Sequence, residues 1–202
     1  MNSGRLIVFE GLDGSGKSTQ VELLATALRV VGFEVVETTE PTRGEWGHRI
    51  RTMARGGEPV PPPKELRWFM ADRREHVDRL IAPAMETGCV VLSDRYYLST
   101  VAYQGARGLD WREILEMSER EFLVPDLVLL LDIDPAGGLL RVKRRAGIAE
   151  PAFEDANFLD GVAAIYAAID RPYIERIDAR DDSDTVAARV RDAVSRCIGG
   201  PL

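Results

Sequence analysis

Residues 11–18 read G-L-D-G-S-G-K-S, directly after the apolar run Leu6–Phe9 and before an amphipathic helical pattern that begins at Val21. This spacing of glycines before a lysine and a serine is typical of a phosphate-binding loop between a buried strand and a helix. In such a loop the backbone N–H groups and the positive end of the helix dipole converge on one place and bind a phosphate. The stretch therefore predicts a nucleotide-binding α/β fold.

The side chains of this loop carry the chemistry of a nucleoside triphosphate site. Glycine permits dihedrals and close backbone approach that a Cβ would block, Lys17 reaches the β- and γ-phosphates, and the Ser18 hydroxyl is a ligand for Mg²⁺. A chance glycine-rich turn is the alternative, and the flanking strand and helix patterns disfavour it. The predicted phosphate-binding residues are Gly11, Asp13, Gly14, Ser15, Gly16, Lys17, Ser18 and Thr19.

Length and composition predict one domain over residues 1–202, because a chain of 202 residues with 45% apolar side chains suits a single α/β core. The formal charge of −7 argues against a general nucleic-acid binder. Cys89 and Cys197 lack metal-type spacing and predict reduced thiols. No leader-like segment or membrane-spanning run stands out, so we expect a cytoplasmic protein without a membrane partner.

Apolar runs alternate with helical patterns along the chain, which predicts a doubly wound, five-stranded parallel sheet flanked by helices. A long helix is predicted over Lys64–Glu86, after the prolines at 61–63. Functional residues should gather beyond the carboxyl ends of the strands. The five predicted strands are Leu6–Glu10, Phe33–Thr38, Cys89–Ser93, Leu127–Asp132 and Ile174–Asp178.

A second motif, Asp94-Arg95-Tyr96, follows the apolar run Cys89–Leu92. A carboxylate at a strand end beside a phosphate loop organises Mg²⁺ or its water shell, and a guanidinium binds phosphate oxygens through two parallel hydrogen bonds. A surface ion pair is the alternative, since such dipeptides are common. Because the motif accompanies a phosphate loop, Asp94 and Arg95 are interpreted as parts of a phosphoryl-transfer site.

Six segments together resemble the thymidylate kinase family of nucleoside monophosphate kinases, and the resemblance covers most of the chain. It implies a P-loop NTPase fold with a short lid, ATP and Mg²⁺ as cofactors, dTMP as the acceptor and a homodimeric assembly. The segments are F-E-G-L-D-G-S-G-K-S-T at 9–19, T-E-P at 39–41, I-R-T-M at 50–53, F-M-A-D-R-R at 69–74, D-R-Y-Y-L-S-T-V-A-Y-Q-G at 94–105 and P-D-L-V-L-L-L-D at 125–132.

The resemblance implies that residues of two helical segments bind the nucleoside of the acceptor. Phe69 is similar to the aromatic residue that stacks on thymine, and Arg73, one helical turn later, to the donor that contacts O4. Core packing for Phe69 and a solvated charge for Arg73 are the alternatives. Gln104 has the donor and acceptor atoms to read N3 of the base, and Tyr103 is placed to crowd the 2′ position. Ser99 and Thr100 are two further candidates, whose hydroxyls would lie near the base. Helix capping is the alternative role for both.

The resemblance also implies which residues bind the phosphate and the sugar of the acceptor. Arg51 and Arg95 match two arginines that hold the acceptor phosphate, and Asp13 matches a carboxylate that reaches the 3′-OH. Fixed cations are needed because two polyanions repel one another as the phosphoryl group moves between them. Glu40 is expected to orient Arg95 or a metal-bound water, or alternatively only to close a loop before Pro41.

Two departures from the family pattern concern positive charge. Thr39 stands where the family commonly places an arginine, and Gly14 stands where some members carry an arginine in the loop. The basic segment 141–145 lies where the family has its lid, here about 141–155, and Arg144 and Arg145 are the candidate catalytic cations. A solvated helix face is the alternative for this segment.

These assignments predict direct in-line transfer of the γ-phosphoryl group of ATP to dTMP, within dTTP biosynthesis. Two other functions remain open from sequence alone. One is a P-loop kinase of another small acceptor, such as a deoxynucleoside. The other is a non-catalytic nucleotide-binding switch, which would order its segments on the γ-phosphate and hydrolyse ATP slowly without any acceptor.

Simultaneous replacement of Arg144 and Arg145 by alanine should lower kcat on the order of 10³-fold and leave dTMP affinity largely unchanged, as for an arginine finger. The reason is that a lid cation stabilises charge that grows only during transfer. Steady-state kinetics with each substrate saturating measures the effect. A double variant with near-normal kcat would place both arginines on a solvated helix face.

Overall fold

The structure is a computed structural model that describes residues 4–58, 60–146 and 156–202, without the side chains of 142–146 and 156. Its strands are β1 (Arg5–Glu10), β2 (Val35–Thr39), β3 (Val90–Asp94), β4 (Leu127–Asp132) and β5 (Ile174–Asp178). Its helices are α1 (Lys17–Val30), α2 (Glu45–Ala54), α3 (Pro62–His76), α4 (Ala82–Glu86), α5 (Tyr97–Ala106), α6 (Trp111–Glu121), α7 (Pro135–Ala146), α8 (Ala156–Ala168) and α9 (Ser183–Ile198).

The strands form one parallel sheet in the order β2-β3-β1-β4-β5, which confirms the predicted fold class. In register, Asp94 of β3 lies beside both Phe9 of β1 and Thr39 of β2. The residues that follow these three strands therefore leave the sheet at the same edge. This edge is where ligands bind in doubly wound folds.

Alternate residues of each strand pack against helices on opposite faces of the sheet. On one face, Leu6 and Val8 of β1 contribute to a core with side chains of α3, α5, α6 and α8. On the other face, Ile7 and Phe9 pack with side chains of α1 and α9. The period of two along a strand thus divides a continuous apolar run between two cores, as expected for a sheet buried on both faces.

The long helix predicted over Lys64–Glu86 differs in its start and its continuity. Helix α3 begins earlier, at Pro62, because proline is well suited to the first turn, where its missing N–H would have no partner. A π-helical stretch, Val77–Ile81, separates α3 from α4. Pro83 follows this stretch and has no N–H to continue the i to i−4 bonding, which accounts for the irregularity.

Within the described part of the chain, no helix combines the length and the apolar composition that crossing a membrane requires.

Candidate active site

The loop between β1 and α1 adopts a shape that only glycine accommodates at three positions. Gly11, Gly14 and Gly16 have φ angles of 134°, 81° and 98°. A Cβ on Gly11 would meet the carbonyl oxygen of Leu131 at the end of β4, and a Cβ on Gly14 would meet the backbone of Gly138 in α7. The loop is therefore closely packed against its neighbours as well as wound tightly, as a phosphate-binding loop requires.

The N-terminus of α1 is open to an anion. Its N-cap is Gly16, which supplies no side-chain cap, and the first turn of the helix contains no acidic residue. The hydroxyl of Ser15 is buried and has no hydrogen-bond partner among the described residues. Uncapped N–H groups at the positive end of a helix, beside an unpartnered hydroxyl, suit a phosphate group.

Lys17 points its ammonium group back into the loop. Its Nζ donates to the carbonyl oxygens of Gly11, at 3.1 Å, and Leu12, at 2.8 Å. The side chain is buried, and this burial together with the positive charge of Arg95 lowers the pKa of Lys17 to about 8. Carbonyl oxygens are weaker partners for a cation than phosphate oxygens, so Lys17 is held ready to exchange them for a nucleotide.

The two predicted metal-site residues are in contact. The Ser18 hydroxyl donates to Oδ2 of Asp94 at 2.6 Å. The described residues contain no group of three or more acidic, histidine or cysteine side chains that would hold a metal alone. Mg²⁺ usually takes only one or two protein oxygens and completes its shell with water and substrate phosphates. This hydroxyl and carboxylate fit Mg²⁺ that arrives with a nucleotide.

A cavity of about 590 Å³ opens beside the loop, beyond the carboxyl ends of β1, β2 and β3. A pocket of this size is typical of small-molecule sites. Nine of the ten predicted acceptor-binding residues line it, so the structure brings together segments that are far apart in sequence. These nine are Asp13, Glu40, Arg51, Phe69, Arg95, Ser99, Thr100, Tyr103 and Gln104.

Arg95 lies between the phosphate loop and the cavity. One end of its guanidinium donates to Asp13 of the loop, and Nη1 donates to the Ser99 hydroxyl at 2.8 Å. The guanidinium also lies 5.4 Å from the ring centroid of Tyr103. Arg95 has a φ angle of 74°, which is uncommon for a residue with a side chain. A strained backbone supported by three partners is typical of a functional position.

Gln104 and Tyr103 lie side by side on α5. Gln104 is fully buried, lines the cavity, and neither its Oε1 nor its Nε2 has a partner among the described residues. An unsatisfied buried amide costs about 1–3 kcal/mol, so such a group is normally retained for a ligand. Tyr103 is also buried, and burial raises its pKa to about 12, so its hydroxyl remains protonated at neutral pH.

Arg73 is the predicted acceptor residue that does not line the cavity. It is 1% exposed, and its Nε and Nη2 donate to Oε2 of Glu40 at 3.0 Å and 2.6 Å. Nη2 also donates to the Thr100 hydroxyl at 2.9 Å, and Nη1 has no partner among the described residues. This burial excludes the alternative of a solvated helix charge.

The expectation that Glu40 orients Arg95 needs correction. Oε2 of Glu40 accepts from Arg73, and Oε1 contacts Nδ1 of His76 at 3.0 Å, so both oxygens have other partners. The ring of His76 in turn contacts the Thr38 hydroxyl through Nε2 at 2.7 Å. Because α3 packs against the end of β2, its basic residues reach Glu40, whereas Arg95 is held by Asp13 and Ser99.

Arg51, the second predicted phosphate cation, donates from Nη1 to the carbonyl oxygens of Pro41 and Thr42. It lines the cavity from α2. As for Lys17, the partners of this cation are carbonyl oxygens, which a phosphate can replace.

The cavity also contains charged residues that the sequence analysis missed. Arg43, an exposed residue just after Pro41, lines the cavity, and its position close to the T-E-P segment was the available signal. Glu65 lines it as well and is fully buried, with one carboxylate oxygen paired with Arg107. Its spacing of four residues from Phe69 on α3 could have indicated a shared face.

The lid predictions fall mostly outside the described part of the chain. Helix α7 includes positions 144 and 145, but the side chains of Arg144 and Arg145 are not described, and residues 147–155 lie outside the description. Arg141 is described, and it donates to the carbonyl oxygens of Ala179 and Arg180 after β5. The catalytic role of Arg144 and Arg145 stays a prediction.

Comparisons with known proteins agree with this geometry. The family model described as thymidylate kinase matches residues 9–190. A thymidylate kinase of Akkermansia muciniphila is 47% identical over 193 residues, covering 95% of this chain and 92% of that protein. One of Desulfotalea psychrophila is 46% identical over 185 residues, covering 92% and 91%. One of Xanthomonas euvesicatoria is 44% identical over 199 residues, covering 98% and 87%. The chain belongs to the thymidylate kinase family.

Proposed function

We propose that this chain transfers the γ-phosphoryl group of ATP to dTMP and so forms dTDP and ADP. The observation that carries the proposal is the buried amide of Gln104, which lines the cavity with both of its polar atoms unpartnered. An amide offers one acceptor and two donors, which match N3–H and a neighbouring carbonyl of thymine. The half-buried ring of Phe69, on the cavity wall, is available to stack on the same base.

The chemistry needs no covalent intermediate on the protein. An oxygen of the dTMP phosphate attacks the γ-phosphorus of ATP, the bond from that phosphorus to the bridging β,γ-oxygen breaks, and ADP leaves. The protein brings the two anions together and stabilises the charge that develops between them. Lys17 serves the donor phosphates, and Arg95 lies between the donor loop and the acceptor cavity.

Bound Mg²⁺ would supply further neutralisation of the ATP phosphates, and Ser18 and Asp94 would hold it. The hydrogen bond between these two residues keeps both oxygens beside the phosphate loop. The remaining loop residues, including Thr19, are proposed to contact the donor nucleotide.

Arginines in the cavity favour a phosphorylated acceptor over a nucleoside. Arg43, Arg51 and Arg95 all line it, together with the carboxylates of Asp13, Glu40 and Glu65. Arg95 pairs with Asp13, whereas among the described residues Arg51 donates only to carbonyl oxygens, so a phosphate on the acceptor would supply its counter-ion. The same arginines disfavour a switch, which has no need of cationic side chains for a second ligand. Tyr103 is proposed to crowd the 2′ position of the sugar, and Asp13, which accepts from Arg95, to reach the 3′-OH. The homodimer, the single domain and the cytoplasmic location stay predictions.

ADP release in the presence of different acceptors tests the proposed function. We expect rapid turnover with dTMP, a loss of roughly 10- to 200-fold in kcat/KM with dUMP, as for a missing methyl group, and a larger loss with UMP. Thymidine and the absence of an acceptor should give little ADP. Faster turnover with thymidine than with dTMP would favour the deoxynucleoside kinase instead. Slow hydrolysis that no acceptor accelerates would favour the switch.

Replacement of Gln104 by leucine should stabilise the free protein and weaken catalysis. Leucine removes a buried, unpartnered amide, so the thermal midpoint should rise, while kcat/KM for dTMP should fall about 10- to 100-fold through the lost hydrogen bonds. The KM for ATP should stay within about twofold, since Gln104 lies in the acceptor cavity. Thermal melts and initial rates measure both effects. Unchanged dTMP kinetics would remove Gln104 from base recognition.

The lowered pKa of Lys17 predicts a pH dependence of ATP capture. A lowered pKa means that the free enzyme loses the charge of Lys17 as the pH rises through about 8. The value of kcat/KM for ATP should therefore fall above about pH 8, because it reports ionisations of the free enzyme. Bound phosphates stabilise the charged form, so kcat should decline only at higher pH.

Lys17→Arg is the matched control for this pH profile. A guanidinium does not deprotonate in this range, so the inflection near pH 8 should disappear whatever the residual activity of the variant. If the inflection persisted in Lys17→Arg, another group would cause it.

A further inference from the structure

Glu10 is a buried carboxylate that the proposed reaction does not use. It is the last residue of β1, directly before the phosphate loop, and it is fully buried. Its Oε1 accepts from the backbone N–H groups of Tyr96, at 2.9 Å, and Ser99, at 3.0 Å. Its Oε2 accepts from the hydroxyls of Ser99, at 2.5 Å, and Tyr166, at 3.1 Å. Burial raises the pKa of Glu10, but four donated hydrogen bonds to its two oxygens and the charge of Arg95 favour the ionised, acceptor-only form.

The two backbone contacts make Glu10 a cap for α5 from a distant strand. The N-cap of α5 is Tyr96, whose side chain makes no capping hydrogen bond. The carboxylate of Glu10 satisfies two N–H groups at this helix end, where the helix dipole also favours a negative charge. Helix α5 carries Ser99 and Gln104, which line the cavity. Glu10 therefore links this wall of the cavity to the strand that leads into the phosphate loop.

The hydroxyl contact extends the influence of Glu10 to Arg95. A serine hydroxyl has one hydrogen, and Ser99 donates it to Glu10. The oxygen of Ser99 is then left to accept from Nη1 of Arg95 at 2.8 Å. Glu10 thus fixes the direction of the hydroxyl, and the hydroxyl holds one end of the guanidinium.

We propose that Glu10 is a positioning residue for the acceptor phosphate, acting on Arg95 through the hydroxyl of Ser99. The inference rests on the proposed function, since it takes dTMP as the acceptor and Arg95 as a contact for its phosphate. Glu10 itself touches neither substrate. Its contribution is to keep Arg95 aimed before the acceptor arrives, which lowers the ordering cost of binding.

Glu10→Gln separates this role from the capping role. An amide has one acceptor end and one donor end, whereas both oxygens of Glu10 accept. The backbone N–H groups of Tyr96 and Ser99 cannot become acceptors, so the amide oxygen will face them and the cap is retained. The amide NH₂ then donates to the Ser99 oxygen and competes there with Nη1 of Arg95, while the Ser99 hydrogen turns toward Arg95 or toward the Tyr166 hydroxyl at 3.1 Å. In either arrangement a carboxylate no longer fixes the hydroxyl, and the contact that holds Arg95 is weakened.

The experiment compares binding of dTMP and thymidine to the full chain by calorimetry. We expect Glu10→Gln to weaken dTMP binding on the order of tenfold, as for one hydrogen bond to a charged group, and to leave thymidine binding within about twofold. Thymidine has the base and sugar but no phosphate for Arg95. A purely structural loosening of α5 would displace Gln104 and weaken both ligands alike, and that result would overturn the proposal.

Glu119→Gln is the matched control. Glu119 accepts from the Tyr173 hydroxyl at 2.6 Å, and Tyr173 accepts from Tyr97 in the first turn of α5. Glu119 has no described link to Arg95 or to the cavity, so the affinities for both ligands should be unchanged. If Glu119→Gln reproduced the selective loss of dTMP affinity, the effect would be a general property of the α5 start and the proposal would be wrong.

Ser99→Ala provides an independent test if the Glu10 variant fails to fold. It keeps the backbone cap and removes the hydroxyl that links Glu10 to Arg95 and also contacts Tyr166, so the selective loss of dTMP affinity should recur. In the double variant, Glu10→Gln should add little to Ser99→Ala, because both changes break the same link. Additive losses, or a Ser99→Ala protein with normal dTMP affinity, would overturn the proposal. If the unaltered protein bound thymidine as tightly as dTMP, the proposed function itself would fail instead.

Discussion

The carboxyl edge of the sheet concentrates positive charge that must be satisfied before any phosphate is present. Leaving a charged group buried and unpaired is costly, so the buried and partly buried cations of the site have protein partners, whereas Arg43 is exposed. Lys17 and Arg51 donate to backbone carbonyls, Arg95 to Asp13 and Ser99, and Arg73 to Glu40. The geometry of the site follows from this requirement, because the partners hold the cations near the places where phosphate is expected.

The partners differ in how easily they can be replaced. A neutral carbonyl is a weak competitor for a phosphate oxygen, so Lys17 and Arg51 can transfer their hydrogen bonds to ligands. Arg73 and Glu40 form an almost fully buried ion pair, with side chains 1% and 4% exposed, and removal of either partner would leave a buried charge. Lys17 and Arg51 are therefore suited to exchange their protein partners for substrate, whereas the Arg73–Glu40 ion pair is a fixed part of the structure.

Much of this arrangement could be predicted from sequence because the signals were local or repeated. The phosphate loop and the alternation of apolar runs with helices identified the sheet, and the helix spacing of Phe69 and Arg73 placed both on α3. The partner of Glu40 could not be predicted, because it depends on how closely α3 approaches the end of β2. Arg43 and Glu65 were missed because their sequence signals, proximity to the T-E-P segment and a spacing of four residues from Phe69, are weak. Neither belongs to a motif with its own chemistry, and only the packing of α2, α3 and α5 around the cavity brings them into the site.

Strand β1 connects the phosphate loop with the cavity wall formed by α5. Its residues alternate between the two faces of the sheet, and Leu6 and Val8 contribute to the core that α5 also joins. By the same period Glu10 falls on the face of α5, where its carboxylate caps that helix and, through Ser99, holds Arg95. The next residue, Gly11, turns the chain into the phosphate loop. Two successive residues thus connect to the proposed acceptor-binding and donor-binding halves of the site. A displacement of this strand end would disturb both halves together, and pairing of β1 with β3 on one side and β4 on the other holds the strand in place.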